Sequence, residues 1–410
     1  MKRLISVVLA LTLCLGLLAG CGQDTPQLDH SAFSYDVSSI TVPDAVRIVG
    51  LGEASHGASE LQQLKVDVFK ALVAKYNCRV FAIEGDFGGC AKVDEYIHGG
   101  SGTAAEVVAE IGFQIYRTQE LADLVQWMRE YNQTAADGED LHFLGFDMQR
   151  YDNNKSFLLS YLENSAPHLA AEYESKFTDL TDDNMYALKD DALATAEADI
   201  SALIGAMETE VPEHERNTSF DFAMQCAQSM LENTQLRRNS TRYNALRDTA
   251  MKNKVDWICG QYEGLIFING HNGHIAKVSA SGYDCMGAKL HQPYAEKYFA
   301  IGTDVQQCEF NGQSGEGYKV FKVKNENALT AQLDNISEDF YYLDFAKVSS
   351  DTAWQDVLNR AQKMLGLNVS FSAWQTLLKM TYTLSVVPQQ SYNAVIVLKS
   401  TSPTHLLLET

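Results

Sequence analysis

The chain runs to 410 residues with 46% apolar side chains, enough for one large α/β domain or two small ones and too apolar for disorder. With 53 acids against 32 lysines and arginines, its formal charge is −21, which makes nucleic acid and anionic lipid surfaces poor partners. Solubility alone accounts for an acidic surface of this kind.

The first element is not part of a core. Lys2 and Arg3 precede an apolar run over 4–18, followed by Ala19, Gly20 and Cys21. A basic start, a short apolar stretch and small residues describe a secretory signal, too short to span a bilayer comfortably. The ending Leu18-Ala19-Gly20-Cys21 resembles the bacterial lipobox, which implies cleavage before Cys21 and diacylation of its thiol. An ordinary signal peptide with a chance cysteine is the alternative. The expectation is an exported bacterial lipoprotein, held through Cys21 at the outer face of the cell membrane or in the periplasm. Loss of residues 1–20 removes Lys2 and Arg3 and no acid, which takes the charge to −23. Residues 21–45 then read as a lipidated cysteine and a polar tether, and 46–405 as the folded domain.

Strand-like runs follow in chain order: VRIVGL (46–51), CRVFAIEG (78–85), LHFLGFD (141–147), GLIFING (264–270), YFAIGTDV (298–305), YYLDF (341–345) and NAVIVLKS (393–400). Between the first two, Leu61, Leu64, Val68 and Leu72 recur at helical spacing before a basic last turn. This alternation predicts an α/β fold with a mixed, mostly parallel central sheet flanked by helices. From about 155 to 260 no strand-like run occurs; acidic, alanine-rich helical patterns predict a helical insertion packed over the sheet. Of the six cysteines beyond Cys21, none forms a Cys-x-x-Cys pair, so a zinc knuckle and a thioredoxin-like motif are both absent.

Three of the apolar runs end in acids or histidines: Gly52-Glu53-Ala54-Ser55-His56-Gly57, Glu84-Gly85-Asp86, and His271-Asn272-Gly273-His274. In open α/β sheets ligands bind beyond the carboxyl ends of the strands, so residues far apart in sequence can share one pocket. A dinucleotide site is excluded: the third glycine of Gly-x-Gly-x-x-Gly is misplaced, and Glu53 would face a pyrophosphate. No Walker loop and no Gly-x-Ser-x-Gly elbow is present; GQSGE (312–316) lacks the last glycine. The glycines flanking Glu53 read instead as letting the strand end turn sharply toward a cleft. The residues suit general-base activation of water, with a histidine as base and carboxylates to orient it. The competing expectation is a divalent metal held by His56, Glu84, His271 and His274, although no His-Glu-x-x-His occurs and His271 and His274 fall on an Asn-Gly turn. His98, His142 and His291 read as surface or satisfied core residues. Asp147 suits either a site residue or a cap.

In order, GEASHGASE, AIEGD, FLGFDMQ, RDTAMKNKVDWI and INGHNGHI resemble the erythromycin esterases, over about 46 to 305. That resemblance implies an α/β core with helices around a deep cleft, and hydrolysis of a macrolide lactone ester that inactivates the antibiotic. It implies His56 as general base, Glu53 and Glu84 as orienting acids, and His271 and His274 completing the pocket; no cofactor is expected, with a divalent metal as the alternative. It places Asp147, Arg247 and Asp248 in matching blocks, and Lys65 where the family commonly shows arginine. Lysine there keeps the charge but loses a planar two-pronged grip, which bears on substrate positioning. The partner so implied is a small-molecule ester. The wider superfamily includes haem-binding lipoproteins, which leaves a non-catalytic ligand-binding role as a further reading.

Overall fold

The computed structural model describes residues 28–407 apart from Glu316. The signal and Cys21 lie outside the described residues. Ten strands form in chain order: β1 (Ile48–Glu53), β2 (Val80–Asp86), β3 (His142–Asp147), β4 (Ile266–His271), β5 (Tyr298–Ser314), β6 (Gly317–Lys324), β7 (Phe340–Asp344), β8 (Gln362–Leu365), β9 (Thr383–Val386) and β10 (Ala394–Thr401). Eight of them make one sheet in the order β3-β2-β4-β1-β5-β10-β7, with β6 paired to β5 beside that path. Pairing is parallel from β3 through β10, and antiparallel for β7 and β6 at its margins. β8 and β9 form a separate antiparallel pair.

The apolar runs become strands because both faces of the sheet are covered, so every residue of β1 and β2 is buried. On one face Val49, Leu51, Phe81, Ile83 and Phe267 pack against α1 (Ser59–Tyr76) and α3 (Gln119–Asn132), with α2 (Phe87–Ile97) at the edge. Leu61, Leu64, Val68 and Leu72 are the buried stripe of α1, as their spacing predicts. On the other face Ile48, Ala82, Ile266 and Ile268 share a core with Met251, Val255 and Ile258 and with Met286 and Leu290.

The helical region comprises α4 (Asp152–Ser165), α5 (Pro167–Lys176), α6 (Asp190–Glu210), α7 (Thr218–Arg238) and α8 (Tyr243–Gln261), followed after β4 by α9 (Met286–Tyr294). α4 to α7 bury their apolar sides in a core of their own that includes Leu158, Ile200 and Met230. The structure departs from the expected insertion at α8, which packs directly on the sheet because Met251, Val255 and Ile258 repeat on one face. The tether reading also fails over residues 28–45. Leu28 is buried, Phe33 stacks on Tyr341 at 4.0 Å between ring centroids, and Trp354 donates to the Asp29 carbonyl. All six cysteines beyond the signal region are free thiols.

Candidate active site

Four neighbouring strands bring their carboxyl ends to one rim. In spatial order these ends carry Asp147 on β3, Glu84 on β2, His271 on β4 and Glu53 on β1. Register sets the last two side by side, since Glu53 pairs with His271 across β1 and β4. His56 follows in the turn between β1 and α1. The glycines here serve close approach rather than a sharp turn, for none has a positive φ. A Cβ on Gly52 would lie 2.3 Å from Asn272 Oδ1, and one on Gly57 would lie 2.0 Å from the Asn311 carbonyl oxygen. The expected Asn-Gly turn is a single helical turn, Asn272–Ile275, with His271 as its N-cap.

Around Glu53 the hydrogen bonds form a buried relay. His56 Nδ1 lies 3.2 Å from Glu53 Oε2, Lys65 Nζ donates to the same oxygen at 3.1 Å, and Gln62 Nε2 donates to Oε1 at 2.8 Å. Burial raises the Glu53 pKa, but Lys65 and His56 outweigh it and leave the carboxyl below its usual range. An ionised carboxylate only accepts, so His56 must donate from Nδ1. Its Nε2 then carries the lone pair, and it stands 3.9 Å from Glu84 Oε2.

Glu84 is the hub of the second half. It accepts from the His271 backbone N–H at 2.7 Å and from Arg247 Nη2 at 2.7 Å, with His274 Nε2 3.4 Å away. Burial again works against ionisation, but His274, Arg247 and His56 reverse it and hold Glu84 well below the usual carboxylate range. Arg247 is fixed in turn by Asp147 Oδ2 at 2.6 Å. His274 donates from Nδ1 to Asp248 at 2.8 Å, and Asp248 also accepts from the Met286 backbone. Burial lowers the His274 pKa, yet Glu84 and Asp248 raise it above its ordinary value.

His271 is arranged in the opposite sense to His56. Its Nδ1 accepts from the Gly273 backbone N–H at 3.2 Å, which puts the proton of the neutral ring on Nε2. Burial pushes its pKa down to about 3, so the ring is neutral. Nε2 is buried and has no hydrogen-bond partner within the protein. The two rings lie 5.7 Å apart between centroids.

A cleft of about 500 Å³ opens over this array. His56, Glu84, His271, His274 and Arg247 line it, with the buried Tyr116 beside His56. Glu53, Asp147 and Asp248 do not; they lie behind, holding His56, Arg247 and His274. Lys65, expected to grip substrate, is fully buried against Glu53 and turned away from the cleft, because its ammonium is the counter-charge of that carboxylate. Asp86 likewise faces inward, where its side chain caps α2 through the Gly89 N–H. A larger hollow of about 810 Å³ lies at the amino ends of the strands, between 42–47 and 256–265, and holds none of these groups.

Gln62 and Tyr116 escape the sequence reading. Gln62 sits three residues before Lys65 on α1, so two polar side chains interrupt its otherwise apolar buried face, a signal that was available. Tyr116, whose hydroxyl is 3.4 Å from His56 Nδ1, lies in a short 3₁₀ turn with no periodicity to mark it.

The four donors available for a divalent ion, His56, Glu84, His271 and His274, do not fit one. Arg247 contacts two of them, with Nη1 3.1 Å from His274 Nε2 and Nη2 on Glu84. A fixed guanidinium inside the donor set opposes a second positive centre.

Comparison with known proteins finds the same fold elsewhere. A protein from Bacillus cereus has the same fold at a TM-score of 0.78 and 20% identity, over 89% of this chain and 91% of that one. A succinoglycan biosynthesis protein gives 0.76 at 20% identity, over 88% and 90%. A histidine-to-asparagine mutant of an erythromycin esterase, in its open conformation, gives 0.63 at 16% identity, over 89% and 93%. In sequence, 112 residues are 33% identical to erythromycin esterase type II of Escherichia coli, spanning 27% of this chain and a quarter of that relative's length. The model of the erythromycin esterase family matches residues 73–401, and the chain belongs to that family.

Proposed function

We propose that the protein is an ester hydrolase that activates water with His56, without a metal, on a macrolide lactone or another cyclic ester. The observation that carries this reading is the pair of opposite tautomers facing one cleft. His56 offers a lone pair on Nε2, and His271 offers a proton on Nε2. His56 Nε2 and Glu84 Oε2 are 3.9 Å apart, close enough for one water to donate a hydrogen bond to each. His56 then removes the water proton as the oxygen attacks the ester carbonyl carbon. The carbonyl oxygen gains negative charge opposite the His271 Nε2–H, a neutral donor already in place. Collapse expels the alkoxide, which takes the proton from the His56 imidazolium. Glu53 stabilises that imidazolium, and Arg247 keeps Glu84 ionised and aimed. Lipid on Cys21 would hold this activity at a membrane surface outside the cytoplasm.

The test is mass spectrometry of the purified mature protein against a panel of macrolides and simple lactones, beside His56→Ala. Gain of one water on a panel member, lost in His56→Ala, supports the reading. Full activity in a folded His56→Ala protein removes His56 from the mechanism.

A further inference from the structure

At the opposite end of β3 from the cleft, three side chains from two elements converge. Asp94 lies in the last turn of α2, His98 caps that helix, and His142 is the first residue of β3. Asp94 and His98 are four residues apart and so share a helix face. One ligand-capable atom from each of the three lies within 4.8 Å of the others. This is the one such trio of histidine, cysteine or acid side chains among the described residues.

The spacing is that of a ligand set. Asp94 Oδ1 is 3.6 Å from His142 Nδ1, with His98 in the same group. A tetrahedral zinc ion with nitrogen and oxygen ligands at about 2.0–2.1 Å separates them by about 3.3–3.4 Å. The Asp94–His142 separation is too long for a hydrogen bond, so these two groups are neighbours without satisfying one another. His142 Nδ1 is buried and has no hydrogen-bond partner, a costly state for a ring nitrogen. The surroundings already orient the trio. The Phe143 backbone N–H donates to Asp94 at 2.8 Å, His98 Nδ1 donates to the Asp94 carbonyl oxygen at 2.8 Å and so leaves Nε2 as its ligand atom, and the Tyr262 ring packs on His142 at 4.7 Å. Outer contacts of this kind commonly fix metal-binding histidines and carboxylates.

We propose that Asp94, His98 and His142 form a site for a divalent transition-metal ion, zinc by ligand type, with solvent completing the shell. The site joins the end of α2 to the start of β3. Along the strand it lies about 16 Å from Asp147, at about 3.3 Å per residue, so it is separate from the cleft. Two imidazoles and one carboxylate suit zinc, copper or nickel rather than calcium or magnesium. His98 is the exposed member, which leaves the ion in reach of solvent.

The probe is zinc chloride added to the mature, tag-free protein, followed by calorimetric titration and thermal unfolding. One equivalent should bind and raise the melting temperature, because an ion that binds only the folded chain stabilises it. His98→Ala should weaken binding at least about 100-fold, since even outer partners of metal ligands cost about 10–100-fold. His98→Gln should behave alike, and circular dichroism of both variants verifies that they fold. The double variant His56→Ala/His274→Ala, which alters only the cleft, should bind zinc as the parent does. Absence of saturable binding, undiminished binding in folded His98→Ala, or loss of binding in the cleft variant would each overturn the proposal.

Discussion

Glu53→Gln separates the chemistry of the cleft from the stability of the fold. Two groups depend on Glu53 Oε2: His56 Nδ1 at 3.2 Å and the fully buried Lys65 Nζ at 3.1 Å. Opposite unit charges 3.2 Å apart attract by about 5 kcal/mol at an effective dielectric of about 20. That attraction exists only once His56 has taken the water proton, so it belongs to the transition state rather than the resting enzyme. Lys65 on the same oxygen offsets part of it, and the expected loss in kcat is about 10²–10⁴-fold. The amide also leaves Lys65 as a buried, unpaired cation, which costs about 3–5 kcal/mol of stability. Adding Lys65→Met removes that cation. The double variant Glu53→Gln/Lys65→Met should therefore recover most of the stability, measured by urea unfolding, while kcat on the best ester of the panel stays low. Recovery of kcat together with stability would refute the orienting role of Glu53 and reduce its effect to folding.

Loss of the His271 donor in His271→Ala should lower kcat about 10²–10³-fold with little change in KM, the signature of a contact made in the transition state; steady-state kinetics separates the two. Stability should fall as pH drops from 6.5 toward 3, because the unfolded chain binds a proton at His271 that the folded protein, with its pKa near 3, refuses. Glu53 and Glu84, held below 4.5 in the fold, add to that loss beneath 4.5, whereas His274, raised above 6.5, loses its contribution as pH climbs past that value. Urea midpoints should thus be higher at pH 6.5 than at pH 4, and His271→Asn should flatten that acid slope. Gly57→Ala forces a methyl against the Asn311 carbonyl and should cost at least about 1–3 kcal/mol in the same assay. Hydrolysis should survive prolonged EDTA treatment; activity lost to chelator and restored by zinc would contradict the metal-free reading of the cleft.

Seven apolar runs became seven strands of the central sheet; six are parallel strands covered on both faces, which advertise themselves by near-continuous apolar residues, and the seventh is antiparallel β7. β6 went unread although GYKVFKVK alternates, since its partner is the far half of β5, where NGQS carries no apolar signal. Convergence of His56, Glu84, His271 and His274 was legible because each follows a strand on the same rim. Roles behind that first rank were not. Lys65 and Arg247 are both cations in matching blocks, and only packing decides that one is sealed behind Glu53 while the other reaches the cleft. The distinction between His56 and His271 rests on which nitrogen meets a carboxylate and which meets a backbone N–H, a matter of ångströms that spacing does not encode. His98 and His142 read as ordinary histidines because they lie 44 positions apart in sequence, and only the end of α2 meeting the start of β3 joins them.

The chemical groups of the cleft cluster at strand ends, whereas much of its wall comes from loops and short turns around 113–115, 186 and 368–370. Those stretches hold none of the hydrogen bonds that set the two histidine tautomers. The mouth can therefore vary while the strand-end groups stay in place, and solved structures at 20% identity share this fold. Recruitment to a new substrate would register first as changes in those stretches, long before any change at His56 or Glu84.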